Sequence, residues 1–110
     1  MAKTDAPPET QSNIEQQLTP LYNVVLLNDN DHTDVYVVEM LQKLFFCPTA
    51  EAFRHAVEVD STGRTIVITC ELAQAEFGRD QIHAYGPDWR VPECKGSMRA
   101  IVEPASGTVD

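Results

Sequence analysis

Acidic and amide side chains are concentrated just after the first apolar run of the chain. Residues 28–34 contain Asp29, Asp31 and Asp34 together with two asparagines. Carboxylates and amide carbonyls accept hydrogen bonds from a cation, and an apolar helix pattern follows them, so the segment suits a cationic ligand with an apolar tail. The same residue types are common helix N-caps and complement the helix macrodipole. On the residues alone, a purely capping role also stays open.

Asp60 is a second candidate for binding a cation. It falls in the last turn of a predicted helix, where a negative charge opposes the macrodipole by about 0.3 to 1 kcal/mol. A cation should therefore offset it. Arg64, four residues later, is the local partner that this spacing favours, and a ligand ammonium group is the functional alternative.

Six predicted strands and helices position the candidate residues. Tyr22–Leu27 predicts a buried strand, and Thr33 is expected to cap a helix reaching about Phe46. Thr49 is expected to cap a second helix that ends at Gly63 and carries Phe53, Ala56, Val57 and Asp60 on one face. A strand over residues 64–69, a helix over 71–85 and a strand over 98–102 follow. The order β-α-α-β-α-β indicates an α+β fold with helices covering a small sheet.

The composition restricts the class of partner. The chain has a net charge of −9, from 17 acidic against 8 basic residues. Nucleic acids and anionic membranes select Lys and Arg, so neither is the predicted partner. A cationic partner is compatible with this charge, which also serves solubility. With no apolar run long enough to span a bilayer and no apolar signal-peptide core, we expect a cytoplasmic protein.

The cysteines predict neither a disulfide framework nor a cofactor. Cys47, Cys70 and Cys94 are odd in number and lack the paired spacing of a four-ligand zinc site, so no metal is predicted. A Cys–His nucleophile made by Cys47 with His32 or His55 is a weakly supported enzyme alternative.

The predicted boundaries follow from polarity and proline content. Residues 1–19 contain two adjacent prolines and few large apolar groups, which predicts a disordered tail. Residues 20–104 form the predicted domain, and residues 105–110 a flexible end.

Three groups of residues resemble the ClpS family of adaptors for AAA+ proteases. They are Tyr22-x-Val24-x-Leu26-x-Asn28-Asp29, then Val37-x-x-Met40-Leu41-Gln42-Lys43-x-Phe45, then Gly63-Arg64. The resemblance covers about residues 22–103. It implies a three-stranded antiparallel sheet with three helices, in agreement with the predicted order. It also implies a non-enzymatic adaptor that binds N-degrons and delivers them to a ClpA- or ClpC-type unfoldase.

The resemblance also implies which residues bind the ligand. Asn28 and Asp29, with His32 and Asp60, would contact the α-amine and backbone of the first residue. The side chain of that residue would enter an apolar pocket lined by Val37, Leu41, Ala56, Val59 and Met98, with Asp34 at its rim. The expected ligands carry Leu, Phe, Tyr or Trp as their first residue, and a wider side-chain pocket adds Ile and Val.

Several positions depart from the family pattern. Asp60 replaces a histidine, so we expect direct contact with the ammonium and weaker binding in acid. His32 replaces a threonine, and Asp34 replaces a pocket methionine. Ala56 stands where a bulky methionine is common, which predicts a wider pocket unless Phe53 or Met98 refills the space.

Contact with the unfoldase rests on the third helix. Glu76 matches a charged family position, whereas Ala73 and Gly78 stand where charges are usual. The alternative function is therefore a module that binds N-terminal residues without delivering them.

Overall fold

The structure is a computed structural model that describes residues 19–105. Its elements are β1 (Tyr22–Leu27), α1 (Asp34–Phe45), α2 (Thr49–Thr62), β2 (Arg64–Cys70), α3 (Leu72–His83) and β3 (Arg99–Pro104). This order confirms the predicted α+β fold.

The sheet places its first strand in the middle. The strand order is β2-β1-β3, and β1 is antiparallel to both neighbours. Leu27, the last residue of β1, pairs with Arg64 on one side and with Arg99 on the other. The segment after β1 therefore emerges between the end of α2 and the loop that precedes β3.

The core lies between the helices and one face of the sheet. α1 packs against α2, while α3 packs against β1 and β3. A single buried apolar cluster joins Val24 and Leu26 of β1 to α1, α2, α3 and the start of β3. Removing this apolar surface from water is the main stabilising contribution to the fold.

The N-cap of α1 is the predicted one, whereas the N-cap of α2 is not. The Thr33 hydroxyl accepts a hydrogen bond from the Tyr36 N–H at 3.1 Å, as expected of an N-cap. Thr49 was predicted to cap α2, and that prediction is wrong. Pro48 occupies the cap position and makes no side-chain cap bond, while the Thr49 hydroxyl accepts from Gln42 Nε2 at 2.8 Å.

The buried face of α2 is also rotated from the predicted one. Phe53 and Val57 are 58 % and 48 % exposed, and Asp60 is exposed. Ala56 of the predicted face is buried, and the helix buries Ala52, His55 and Val59 beside it. A polar residue can occupy this face because the His55 ring bonds Thr65 of β2, a partner that helical periodicity does not show.

The last elements differ slightly from their predicted bounds. α3 ends at His83, and β3 continues to Pro104. Ala105 is buried, and its N–H donates to the Leu21 carbonyl at 2.9 Å, so the folded part includes one residue of the predicted flexible end. Apart from Thr19, the predicted tail over residues 1–19 lies outside the described residues, as does 106–110.

No helix within residues 19–105 is both long and apolar enough to cross a membrane.

Candidate functional site

The acidic segment after β1 is tied to the end of α2. The Asn28 N–H donates to the carbonyl of Gly63, the glycine that ends α2, at 3.0 Å. Within the segment, Asp29 Oδ1 accepts a hydrogen bond from the Asp31 N–H at 2.9 Å. The Asn28 backbone therefore lies beside the end of α2, whose last turn carries Asp60.

His32 links the Asp29 carboxylate to the loop before β3. Its Nδ1 lies 2.7 and 2.9 Å from the two Asp29 oxygens, and its Nε2 lies 2.7 Å from the Gly96 carbonyl. The His32 side chain is only 4 % exposed, whereas that of Asp29 is 32 % exposed. The ring also packs on Tyr36, with 4.5 Å between the ring centroids. His32 thus fixes the orientation of Asp29 and leaves the carboxylate accessible to a ligand.

Cys94 is a further neighbour of His32 that the sequence did not indicate. Its Sγ lies 3.2 Å from His32 Nε2, accepts from the Asp88 N–H at 3.3 Å and lies 3.3 Å from the Gly96 carbonyl. The side chain is buried. The thiol contacts the Asp88 N–H and the Gly96 carbonyl as well as the His32 ring, so Cys94 is a packing residue beneath that ring.

A shallow cleft opens beside this network. Its volume is about 360 Å³. It is lined by Asp29, Asp31, His32, Glu93, Cys94, Lys95, Gly96, Ser97 and Arg99. The Asp29 carboxylate therefore faces a space that polar and charged groups surround.

The predicted apolar pocket residues all belong to the buried core. Val37 and Leu41 of α1, Ala56 and Val59 of α2, and Met98 before β3 are each at most 3 % exposed. They belong to one apolar cluster, while Asp34 is exposed at the start of α1. Phe53 is 58 % exposed, whereas Met98 is buried in the same apolar cluster as Ala56.

Asp60 lies apart from its expected local partner. Arg64 instead pairs with Glu103 of β3, with 2.6 Å between Nη2 and Oε2. This contact lowers the pKa of Glu103 from its usual value. No hydrogen bond or ion pair of the Asp60 side chain is present among residues 19–105.

Asp88 is a site-supporting residue that sequence reasoning missed. Its carboxylate accepts from the N–H and the hydroxyl of Thr33 at 2.8 and 2.7 Å, and from the N–H and Nη1 of Arg90 at 3.1 and 3.0 Å. Burial raises the pKa of Asp88, but these bonds outweigh burial and bring that pKa to about 2. Asp88 thereby holds the loop after α3 against the start of α1.

The electrostatic environment of Cys47 and His55 does not favour the Cys–His enzyme alternative. Cys47 comes near His55, with the possible ligand atoms of the two side chains within 4.8 Å. Burial raises the pKa of the Cys47 thiol and lowers the pKa of His55. A nucleophilic cysteine needs the opposite, a thiolate stabilised by a nearby charged histidine.

Together, these features describe a small α+β domain with an anionic turn at one end of its sheet. Residues 17–88 match the family model for the ATP-dependent Clp protease adaptor protein ClpS. The chain is 32 % identical over 80 residues to the ClpS adapter of Synechococcus sp., which covers 72 % of this chain and 86 % of that protein. It is also 32 % identical over 77 residues to the Gloeobacter violaceus ClpS adapter, covering 68 % and 82 % of the two chains. The chain belongs to the ClpS family.

The fold is shared with a solved structure of more distant sequence. Agrobacterium tumefaciens ClpS2 bound to L-phenylalaninamide matches with a TM-score of 0.67 at 24 % identity. The match covers 78 % of this chain and 98 % of ClpS2.

Proposed function

We propose that this protein is a cytoplasmic, non-enzymatic adaptor that binds the free N-terminal residue of a substrate and delivers the substrate to a Clp unfoldase. The observation that carries the proposal is the Asp29 carboxylate, held by His32 and still partly exposed. It lies at the end of the central strand, immediately before the helix that contributes Val37 and Leu41 to the apolar cluster.

The anionic turn is suited to an α-ammonium group. A free α-amine has a pKa near 7.7, so it is largely protonated at neutral pH. Asp29 provides the main countercharge, with Asn28 as hydrogen-bond partner and Asp60 as a second carboxylate at the end of α2. His32 acts as a positioning residue, because both of its ring nitrogens already face Asp29 and Gly96. Each hydrogen bond to the charged amine contributes about 1.5 to 3 kcal/mol.

The apolar cluster is suited to the first side chain. Burying a Leu or Phe side chain contributes about 1.5 to 3 kcal/mol. The family resemblance implies a bulky methionine where this chain has the smaller Ala56, so we include Ile and Val with Leu, Phe, Tyr and Trp among the ligands. The ligand of A. tumefaciens ClpS2, L-phenylalaninamide, combines a free amine with an apolar side chain and supports this chemical class.

Delivery is supported by family membership. The matched relatives are named adapters of the ATP-dependent Clp protease, and we propose a ClpA- or ClpC-type unfoldase as the partner. Glu76 is exposed on α3 and available for contact. Gly78 is buried and Ala73 is uncharged, which favours the alternative of a module that binds N-terminal residues without delivery.

The test is fluorescence anisotropy with peptides that differ only at their first residue. Peptides starting with Leu, Ile, Val, Phe, Tyr or Trp should bind, and acetyl-Leu should bind at least tenfold more weakly because it lacks the charge. Asp29→Asn should reduce Leu-peptide affinity by a similar factor, about 1.5 to 3 kcal/mol. Asp80→Asn, a control at an exposed carboxylate of α3, should not.

Equal binding of free and acetylated Leu peptides would contradict the amine site. Rejection of only the Ile and Val peptides would contradict the wider pocket at Ala56. Degradation of a Leu-initiated reporter by a reconstituted Clp protease, with and without the protein, then separates the adaptor from the binding module.

A further inference from the structure

A group of three metal-ligating side chains lies away from the anionic turn. Cys47 precedes α2, and Glu51 and His55 follow at intervals of four residues on the helix. One ligand atom from each, a thiol sulfur, a carboxylate oxygen and an imidazole nitrogen, lie within 4.8 Å of one another. The Glu51 Oε2 and His55 Nε2 atoms are 3.8 Å apart. The i, i+4, i+8 spacing is present in the sequence, but it contains one cysteine and so differs from the paired-cysteine spacing typical of zinc sites.

The His55 ring is held in one orientation. Its side chain is 3 % exposed, and Nδ1 lies 2.8 Å from the Thr65 hydroxyl oxygen. That hydroxyl donates its own hydrogen to Glu58 Oε1 at 2.5 Å, so it accepts a hydrogen bond from Nδ1–H. The lone pair of the neutral ring is therefore on Nε2, the nitrogen directed toward Glu51 and Cys47.

The other side chains leave room for an ion. The Arg54 Nη2 is a long 3.5 Å from His55 Nε2, and the Arg54 side chain is 60 % exposed, so it can move aside. The Glu51 side chain is 52 % exposed, and its ion pair with Arg54 Nη2 is a long 3.9 Å, so it can change rotamer. Cys47 is partly buried.

We propose that Cys47 Sγ, a Glu51 carboxylate oxygen and His55 Nε2 bind a zinc-class divalent cation, with solvent as the fourth ligand. Sulfur, nitrogen and carboxylate oxygen form a ligand set typical of Zn²⁺. At ordinary zinc–ligand distances, tetrahedral ligand atoms of this set are roughly 3.3 to 3.6 Å apart. The ligand atoms of the group all lie within 4.8 Å of one another, so small rotations of the Cys47 and Glu51 side chains close it on an ion. The Thr65–Glu58 chain behind Nδ1 is the kind of outer hydrogen bond that orients a zinc-bound histidine.

Binding has a defined proton balance and structural effect. The Cys47 thiol loses its proton to solvent and the thiolate sulfur forms the bond to the metal, without a change of oxidation state. The ion ties the turn between α1 and α2 to the first two turns of α2. We therefore expect metal binding to raise the midpoint of thermal unfolding.

The test uses full-length, untagged protein that has been reduced and stripped with a chelator. Competition with a chromogenic chelator should show one equivalent of Zn²⁺, and Co²⁺ should give a thiolate charge-transfer band with tetrahedral d–d bands. Cys47→Ser should abolish the charge-transfer band, and Glu51→Gln should weaken Zn²⁺ binding about tenfold. Cys70→Ser, a matched change at another partly buried cysteine, should leave both measurements unchanged.

Other outcomes would overturn the proposal. No stoichiometric Zn²⁺ binding, or binding that Cys47→Ser leaves intact, would show an adventitious ion only. Loss of the Co²⁺ charge-transfer band in Cys70→Ser would place the metal elsewhere. So would loss of the band in Cys94→Ser if Cys47→Ser keeps it. Circular dichroism of each metal-free variant checks that it is folded. The test substitutes Cys47 and Glu51, which are partly exposed, and so does not require a substitution of the buried His55.

Discussion

At the scale of single residues, a buried carboxylate stabilises the region around the binding turn. Asp88 is 1 % exposed and bonds both Thr33, the N-cap of α1, and Arg90. Arg90 also reaches Glu39 of α1 at 2.9 Å, and the Tyr36 hydroxyl donates to the Gly86 carbonyl at 2.5 Å. These contacts attach the loop after α3 to α1 without taking part in the proposed binding.

The charge of Asp88 should therefore contribute to stability. We expect Asp88→Asn to reduce the free energy of unfolding at pH 7 by about 1.5 to 3 kcal/mol, because charge-assisted bonds are lost. The folded pKa of about 2 lies below the unfolded value. The contribution is thus complete above about pH 4 and disappears as pH falls toward 2.

Urea unfolding at pH 7 and at about pH 3 measures this contribution. The difference between wild type and Asp88→Asn should shrink in acid. Asp80→Asn, where an exposed carboxylate pairs with Arg79, should change stability by less than about 1 kcal/mol at either pH. A pH-independent deficit in Asp88→Asn would indicate altered packing instead of lost charge.

At the scale of elements, close packing of α3 depends on a missing side chain. A Cβ added at Gly78 would lie 3.3 Å from both Ile68 Cδ1 of β2 and Phe45 Cε1 of α1. Gly78 is buried although glycine is a poor helix former. The residue that weakens the helix in isolation thus lets it approach the sheet and α1.

Valine substitutions on α3 distinguish packing from helix propensity. Propensity alone predicts that Gly78→Val stabilises the helix slightly and that Ala73→Val, at an exposed position, destabilises it by up to about 0.7 kcal/mol. Packing predicts the reverse ranking, because overfilling costs about 1 to 3 kcal/mol. We expect the urea midpoint of Gly78→Val to fall well below that of Ala73→Val. The opposite order would show that close packing does not require glycine at position 78.

The sequence predicted those elements whose signals are local. Thr33 and Gly63 mark helix ends, and the apolar run before Asn28 marks the central strand. The face of α2 could not be predicted by periodicity, because Phe53 and Val57 are exposed while His55 is buried on a hydrogen bond to Thr65. The role of Asp88 was equally hidden, since its partner Thr33 lies far away in the sequence.

The candidate site was predicted only in part. The turn of Asn28 and Asp29 was visible as a cluster of hydrogen-bond acceptors. The bridge from Asp29 through His32 to Gly96 joins residues 64 positions apart, and nothing in the local sequence indicates it. Arg64, the predicted partner of Asp60, instead pairs with Glu103 of β3, on the far side of the central strand β1.

At the scale of the whole molecule, charge should affect how ligands arrive. The net charge of −9 accompanies acids at the proposed entrance: Asp29, Asp31, Asp34 and Asp60. Such a field attracts cationic ligands and increases their association rate. Screening limits it, because the Debye length falls from about 30 Å at 0.01 M salt to about 3 Å at 1 M.

Peptides with the same first residue test this effect. We expect Leu-Lys peptides to associate several-fold faster than Leu-Glu peptides at about 0.01 M salt, with the ratio approaching one at about 1 M. Stopped-flow anisotropy gives both rates. A ratio independent of salt would assign the difference to a direct contact at the second residue.

The central position of β1 has a consequence for synthesis of the chain. Among residues 19–105, β1 precedes both of its partner strands, and its ladder with β3 pairs Leu27 with Arg99 and Tyr22 with Pro104. Contacts this distant in sequence slow folding, and they cannot form until β3 has left the ribosome. The turn that follows β1 therefore acquires both of its walls only after β3 has been synthesised, so a nascent chain that ends before β3 cannot compete with the folded protein for its ligands.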